Sequence, residues 1–183
     1  MTLVQDRTYT VDEFERLPDS VGYELVDGHL VERAVSKESS RIAARIIYFL
    51  QSATIKTSEA EVYGADLTYT CFKDPAVNGR RADASVVRRS RLKEIGDVGT
   101  MPIPADLVVE VVSPNDEVYE LSRKIELYLS SGVGLVWVVE PEPKIVYVHR
   151  QDGTVTKLRE NDEITGEKAL PEFRCKVAEF FAR

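Results

Sequence analysis

Apolar and polar positions along this chain repeat at two spacings, near two residues and near three to four. The clearest passage from one to the other runs from Pro104 to Pro141. Leu107 to Val112 is an apolar run of the kind a strand covered on both faces requires. One ionisable residue, Glu110, interrupts it. Ser113-Pro114 ends the run, and Asn115 or Asp116 stands where it can cap a helix. Val118, Leu121, Ile125, Tyr128 and Leu129 then recur at steps of three and four, one apolar stripe. Gly132 closes that helix, and Val133 to Val139 is a second apolar strand around Trp137. With ~15 helical residues between them, the two strands predict a right-handed parallel crossover.

The same spacings mark out the rest. Thr10 to Glu13 is a capping box, and Val11, Phe14 and Leu17 predict a short helix closed by Pro18. Tyr23 to Val26, Asp27-Gly28 and His29 to Arg33 predict a hairpin with a two-residue turn. In its register Leu25 faces Leu30, and Glu24, the odd charge on its strand, faces Val31. From Ser36 to Thr57 a longer helix carries Ile42, Ile46, Phe49, Leu50 and Ala53 on one side. Glu61 to Cys71 alternates at Leu67, Tyr69 and Cys71 as a strand, and Asp74-Pro75 and Asn78-Gly79 mark turns. Arg80 to Val87 is the next strand, with Asp83 and Ser85 on one face and Ala82, Ala84 and Val86 on the other. Arg88 to Met101 reads as a loop. Lys144 to Arg150 and Thr154 to Leu158 form a hairpin around Asp152-Gly153, and Ala169 to Arg183 a strand remnant and a short helix.

Glu110 needs a reason for its place. Isolating an ionised carboxylate from water costs several kcal/mol unless a cation or hydrogen bonds answer it. Lys124 borders the apolar stripe of the following helix, within about 60° of Leu121 at ~100° per residue, and its ammonium can extend toward the strand end. Both an ion pair that only holds the crossover together and an active site satisfy that pattern.

Composition narrows the classes. The chain has 183 residues, 43% apolar and 30% charged, which fits one globular domain spanning residues 1–183. No apolar stretch approaches the ~20 residues that span a bilayer. The first ten residues hold neither a basic n-region nor an apolar h-region, so a cytoplasmic protein is expected. Cys71 and Cys175 are isolated thiols without metal-ligand spacing, and two histidines, His29 and His149, offer no hydrolase triad. No glycine-rich phosphate loop is present, so no nucleotide cofactor is expected. A net charge of −7, from 31 acidic and 24 basic residues, argues against coating DNA by charge alone. A local strip remains: Arg88, Arg89, Arg91 and Lys93 form the densest basic cluster, either a solvated loop or a contact for phosphates.

Three acidic residues each interrupt an apolar or small-residue strand: Glu24, Asp83 and Glu110. They can converge only at one edge of a sheet. With Lys124 they offer two or three carboxylates and one ammonium, a set suited to a hard divalent cation such as Mg²⁺, with Mn²⁺ as substitute. In-line phosphodiester hydrolysis uses all four parts.

YELVDG, RADASVV, LVVEVVSP and the GV…W segment, in this order, resemble the Uma-two family of restriction-endonuclease-like proteins, within the PD-(D/E)xK nuclease superfamily. The similarity covers nearly the whole chain. It implies an α/β fold with a restriction-endonuclease-like core, a central mixed sheet flanked by helices, Mg²⁺-dependent cleavage of DNA, and a homodimer. Carried over by position, Asp83 matches the Asp of the PD motif and Glu110 the acidic residue of (D/E)xK. The Val111 carbonyl is a further implied ligand, and Glu24 matches the family's upstream Glu.

Two departures stand out. Ala82 replaces the motif proline, and Val112 occupies the motif lysine position, so that the ammonium is implied to come from Lys124 on the next helix. Ser39 or Ser40 stands where relatives often carry histidine. Glu120 is placed either to orient Lys124 as an i,i+4 pair or to form a solvated surface pair, and Tyr128, one turn beyond Lys124, is a core or a site residue. The alternatives to a nuclease are a non-catalytic binding or oligomerisation module on the same fold, or a hydrolase of small phosphoryl substrates.

Overall fold

The computed structural model describes residues 7–93 and 95–183. The expectation about a leader rests on residues 1–10, of which 1–6 lie outside the described ones. Thr10 caps α1 (Val11–Glu15) through the foreseen capping box. The hairpin β1 (Tyr23–Val26) and β2 (His29–Glu32) has Leu25 opposite Leu30 and Glu24 opposite Val31. Asp27 and Gly28 both take positive φ, 48° and 81°, as its tight turn demands. Ser36 caps α2 (Lys37–Thr57). There follow β3 (Ala60–Gly64), β4 (Ala84–Arg88), β5 (Leu107–Val111), α3 (Val118–Ser130) and β6 (Leu135–Glu140). The chain ends with β7 (Ile145–Arg150), β8 (Val155–Arg159), β9 (Glu163–Gly166), β10 (Leu170–Lys176) and α4 (Ala178–Phe181).

Strands β3 to β8 make one six-stranded mixed sheet in sequence order. The β5–β6 pair is parallel, with Glu110 opposite Val138, and the other neighbours are antiparallel. The crossover helix α3 that joins β5 to β6 covers one face, where Val108, Val136 and Val138 meet Tyr128 and Tyr69. On the other face Val86, Val109 and Trp137 pack under Ile42, Ile46 and Leu50 of α2 and under Phe173 and Phe180. Trp137 is fully buried, its ring 5.4 Å from Phe173 and 6.1 Å from Phe180. A smaller core of Tyr9, Val11, Phe14 and Leu25 seats the β1–β2 hairpin.

Five local expectations give way. The strand from Glu61 to Cys71 stops at Gly64, and Tyr69 makes only isolated bridges to Arg80 and Met101 outside the named strands. Its alternation reports which side chains point inward and not whether the strand continues: the Tyr69 hydroxyl donates to Ser85 at 2.7 Å. The strand from Arg80 to Val87 is broken at Asp83, so β4 starts at Ala84, and Ala82 packs with the α3-side core instead of with Val86. Val118 is 76% exposed, outside the helix stripe, and Asp116 accepts from the Ser113 N–H instead of capping α3. The C-terminal strand remnant is a full strand, β10, paired with β9. Its apolar residues cover Trp137, a demand set by the sheet and invisible in the segment itself.

Candidate active site

Each site residue is placed by a different local feature. Alternation on β1 sends Leu25 into the small core and leaves Glu24 facing the sheet. At Asp83 the main chain bends: its N–H donates to the Val109 carbonyl, and its carboxylate Oδ2 accepts from the Val111 N–H at 2.7 Å. The side chain thus stands in for a ladder acceptor, which fixes it against the end of β5. Glu110 is buried there on the α3 side of the sheet, and Lys124, one turn past Leu121, reaches down to it. Lys124 Nζ lies 2.9 Å from Glu110 Oε2, 2.9 Å from Glu24 Oε1 and 2.9 Å from the Arg81 carbonyl. Asp83, Glu110, Glu24 and Lys124 therefore line one cleft.

Two arginines complete it. Arg80 Nη1 lies 3.4 Å from Glu24 Oε2, and Arg33 Nη2 donates to Asp83 Oδ1 at 3.3 Å. The Arg81 main-chain N–H donates to Glu24 Oε1 at 2.7 Å, while its guanidinium is spent on Glu15, Thr68 and the Ser20 carbonyl. Two buried carboxylates, Glu24 and Glu110, and the half-buried Asp83 thus meet three cations, as the cost of burying charge requires. Sequence reading missed Arg33, Arg80 and Arg81. The available signal was the count itself, since one lysine cannot compensate three acids.

The groups titrate unequally. Burial pushes Glu110 up to about 8, against the pull of Lys124, and the charges of Asp83 and Glu24 add to the rise. For Glu24 burial also works upward, but Lys124 and Arg80 outweigh it and hold the carboxyl below its ordinary value. Burial would lower Lys124, yet Glu110, Glu24 and Asp83 raise it above a free lysine. Glu24 is thus the carboxyl that Lys124 and Arg80 hold charged, and Glu110 the one that takes up a proton most readily. Glu110 Oε1 and the Tyr128 hydroxyl are both sealed from solvent and near enough for the carboxylate to act on the hydroxyl, and Arg80 Nε is buried without a partner. Burial and the Glu110 charge both push the Tyr128 hydroxyl pKa up, so it stays protonated.

The model of the family described as "Putative restriction endonuclease" matches residues 11–178. The chain belongs to this family, Uma2. The crystal structure of a "putative nuclease belonging to DUF820" from Anabaena variabilis is similar with a TM-score of 0.81. It is 21% identical, with 94% of this chain and 97% of that one covered, and so it supports the fold. No curated protein matches.

Other expected residues of this Uma2 chain lie apart from the cleft floor. The basic cluster stands at the opposite end of β4 from Asp83, roughly 16 Å away at about 3.3 Å per residue. Arg88 and Arg91 are paired with Asp106 at 2.9 and 3.0 Å, and Arg89 with Glu61 at 2.6 Å; Lys93 is exposed. Glu120 pairs with Arg123 at 3.0 Å, three residues on, and not with Lys124, whose ammonium is turned inward. Ser39 is buried, its hydroxyl 2.8 Å from that of Ser113, a tie between α2 and the end of β5. Among the described residues no helix is long and apolar enough to cross a membrane.

Proposed function

We propose that this protein is a divalent-metal-dependent DNA endonuclease of the PD-(D/E)xK type, one domain acting in the cytoplasm as a homodimer so that both strands are cut. The observation that carries the reading is the meeting of Asp83, Glu110 and Lys124 in one cleft. The donor set there, carboxylate oxygens on neighbouring elements, is of the kind a hard divalent cation takes. Among the described residues no three acidic, histidine or cysteine side chains converge as a ready cage. Asp83 and Glu110 would hold Mg²⁺, or Mn²⁺ in its place, with the Val111 carbonyl and water, and Glu24 within reach through water. When bound, such an ion acidifies water and steadies charge on a phosphoryl oxygen.

The chain's own residues do the remainder. Lys124 balances Glu110 and Glu24 at rest, and its ammonium stands where it can neutralise charge developing on the phosphate or orient the attacking water. Glu24 keeps Lys124 charged and turned inward. Arg88, Arg89, Arg91 and Lys93, being distant from Asp83, would meet phosphates of flanking duplex and not the scissile one. Incubating supercoiled plasmid with Mg²⁺ or Mn²⁺ tests the reading. Nicking or linearisation is expected from the wild type, and loss of it from Asp83→Ala and Glu110→Ala.

A second reading, a non-catalytic binding or oligomerisation module, is favoured by one observation: both Asp83 oxygens already accept hydrogen bonds, from Arg33 and from Val111. A Mn²⁺ titration separates the two, because a module of that kind has no carboxylate-dependent site.

A further inference from the structure

The cleft is poorly prepared for an anion. Glu24, Glu32, Asp83, Glu110, Asp116, Glu117 and Glu120 line it, against Arg33, Arg80 and Lys124. A phosphodiester drawn into such a place needs a cation that is not already committed to the carboxylates. Lys124 is held by three oxygens, and Arg80 is drawn to Glu24. Arg33 is differently placed.

Arg33 follows β2, and its side chain is nine-tenths buried, only 10% exposed. One end of the guanidinium is anchored: Nη1 donates to the Ala65 carbonyl at 3.1 Å and, longer, to the Val21 carbonyl at 3.5 Å. Its main-chain N–H is tied to the Gly22 carbonyl at 2.9 Å. The other end, Nη2, faces the cleft and touches Asp83 Oδ1 alone, at 3.3 Å, which is long for a charge-assisted bond. Because the Val111 N–H takes Oδ2, Oδ1 is the Asp83 oxygen that a metal would claim. A cation arriving there must displace Nη2. The Nη1 anchors do not depend on Asp83, so the guanidinium stays in the cleft after release, with Nη2 beside the place where a phosphate oxygen would sit.

Building on the nuclease reading above, we infer that Arg33 is an exchangeable counter-ion: it holds Asp83 while the metal is absent, and on metal binding its Nη2 passes to a non-bridging oxygen of the substrate phosphate. Metal and DNA thereby become coupled through one side chain. Without metal, Arg33 and Asp83 satisfy each other and the acidic cleft repels DNA. With metal, the same arginine becomes a phosphate ligand. Arginine suits this role because its planar fork keeps one edge on carbonyl groups while the other changes partner.

The test compares Mn²⁺ affinity, read by electron paramagnetic resonance on metal-free protein, with affinity for a short DNA duplex in Ca²⁺. Removing a competing cation should make Arg33→Met bind Mn²⁺ about tenfold more tightly, within the usual range of coupling between two ligands of one site. The same variant should bind the duplex about tenfold more weakly in Ca²⁺. A purely structural arginine would weaken both. Should Arg33→Met fail to fold, Asp83→Asn serves, since its amide oxygen still accepts from Val111. In metal-free buffer it should bind the duplex more tightly than the wild type, and by more than Glu120→Gln, which removes an equal charge from the rim. Equal gains from the two, or Mn²⁺ binding by Arg33→Met no tighter than by the wild type, overturn the inference alone. A wild type that binds no Mn²⁺ through Asp83 removes the nuclease reading together with it.

Discussion

Lys124 Nζ sits 2.9 Å from Glu110 Oε2, a contact between a crossover helix and the strand it has just left. The pair is 14 residues apart in sequence, while Glu24, sharing the same ammonium, comes from the far end of the chain. The ammonium is therefore the joint between the central sheet and the N-terminal hairpin. Losing it leaves buried Glu110 without a cation and Glu24 with Arg80 alone. Lys124→Met should cost about 3–5 kcal/mol of stability, the usual penalty for breaking a buried pair from one side. Denaturant unfolding measures this. Cleavage should fall about 10²–10⁴-fold, the range of one proton-handling or charge-stabilising group.

Glu110 makes stability depend on pH in a distinct direction. With its carboxyl at about 8 when folded and near its ordinary value when unfolded, the folded state holds the proton more tightly. Its contribution is complete below the ordinary carboxyl range and is lost as pH rises through about 8. Glu24, lowered on folding, acts in the opposite sense and is lost only as pH falls through its depressed value. The metal-free protein should therefore lose melting temperature as pH rises from the ordinary carboxyl range to about 8, and level off above it. Glu110→Gln, which cannot ionise, should flatten that decline. An unchanged slope in the variant would refute the assignment.

Trp137 offers a test of the core. Its indole N–H has no partner in the described structure, so Trp137→Phe forfeits no hydrogen bond and only some packing against Phe173 and Phe180. Trp137→Ala empties the centre of the α2-side core and should cost about 3–5 kcal/mol. Urea unfolding of the two variants should show the phenylalanine losing clearly less.

Asp106 separates scaffold from site. Its carboxylate accepts from the Arg88 N–H at 2.8 Å and pairs with the Arg88 and Arg91 guanidinium groups, at the sheet end away from Asp83. Asp106→Ala should lower stability by about 1–3 kcal/mol, because the Arg88 main-chain N–H and two guanidinium groups lose their acceptor. The turnover of bound DNA should be unchanged. Neutralising Arg88, Arg89, Arg91 and Lys93 together should reduce the slope of log affinity against log salt, read by DNA titration at several salt concentrations.

Much of the architecture was legible without coordinates because it rests on local rules. The capping box at Thr10, the Asp27-Gly28 turn, the stripe of α2 and the β5–α3–β6 crossover each follow from steric or periodic demands inside a short segment. Alternation also singled out Glu24 and Glu110, because a charge in an apolar strand needs an answer wherever the strand ends up. Two local rules competed at Asp83. Strand periodicity ran through it, but its carboxylate found a main-chain N–H on β5 and bent the chain.

The partners of those acids were decided only by the assembled fold. Nothing near Asp83 in sequence announces Arg33, 50 positions earlier, and nothing in the Arg88–Arg91 run announces Asp106 and Glu61 as its counter-charges. Period and propensity act over one or two turns of chain, whereas charge compensation acts through space. Which cation answers which carboxylate depends on how the β1–β2 hairpin, β4, β5 and α3 come to rest against one another.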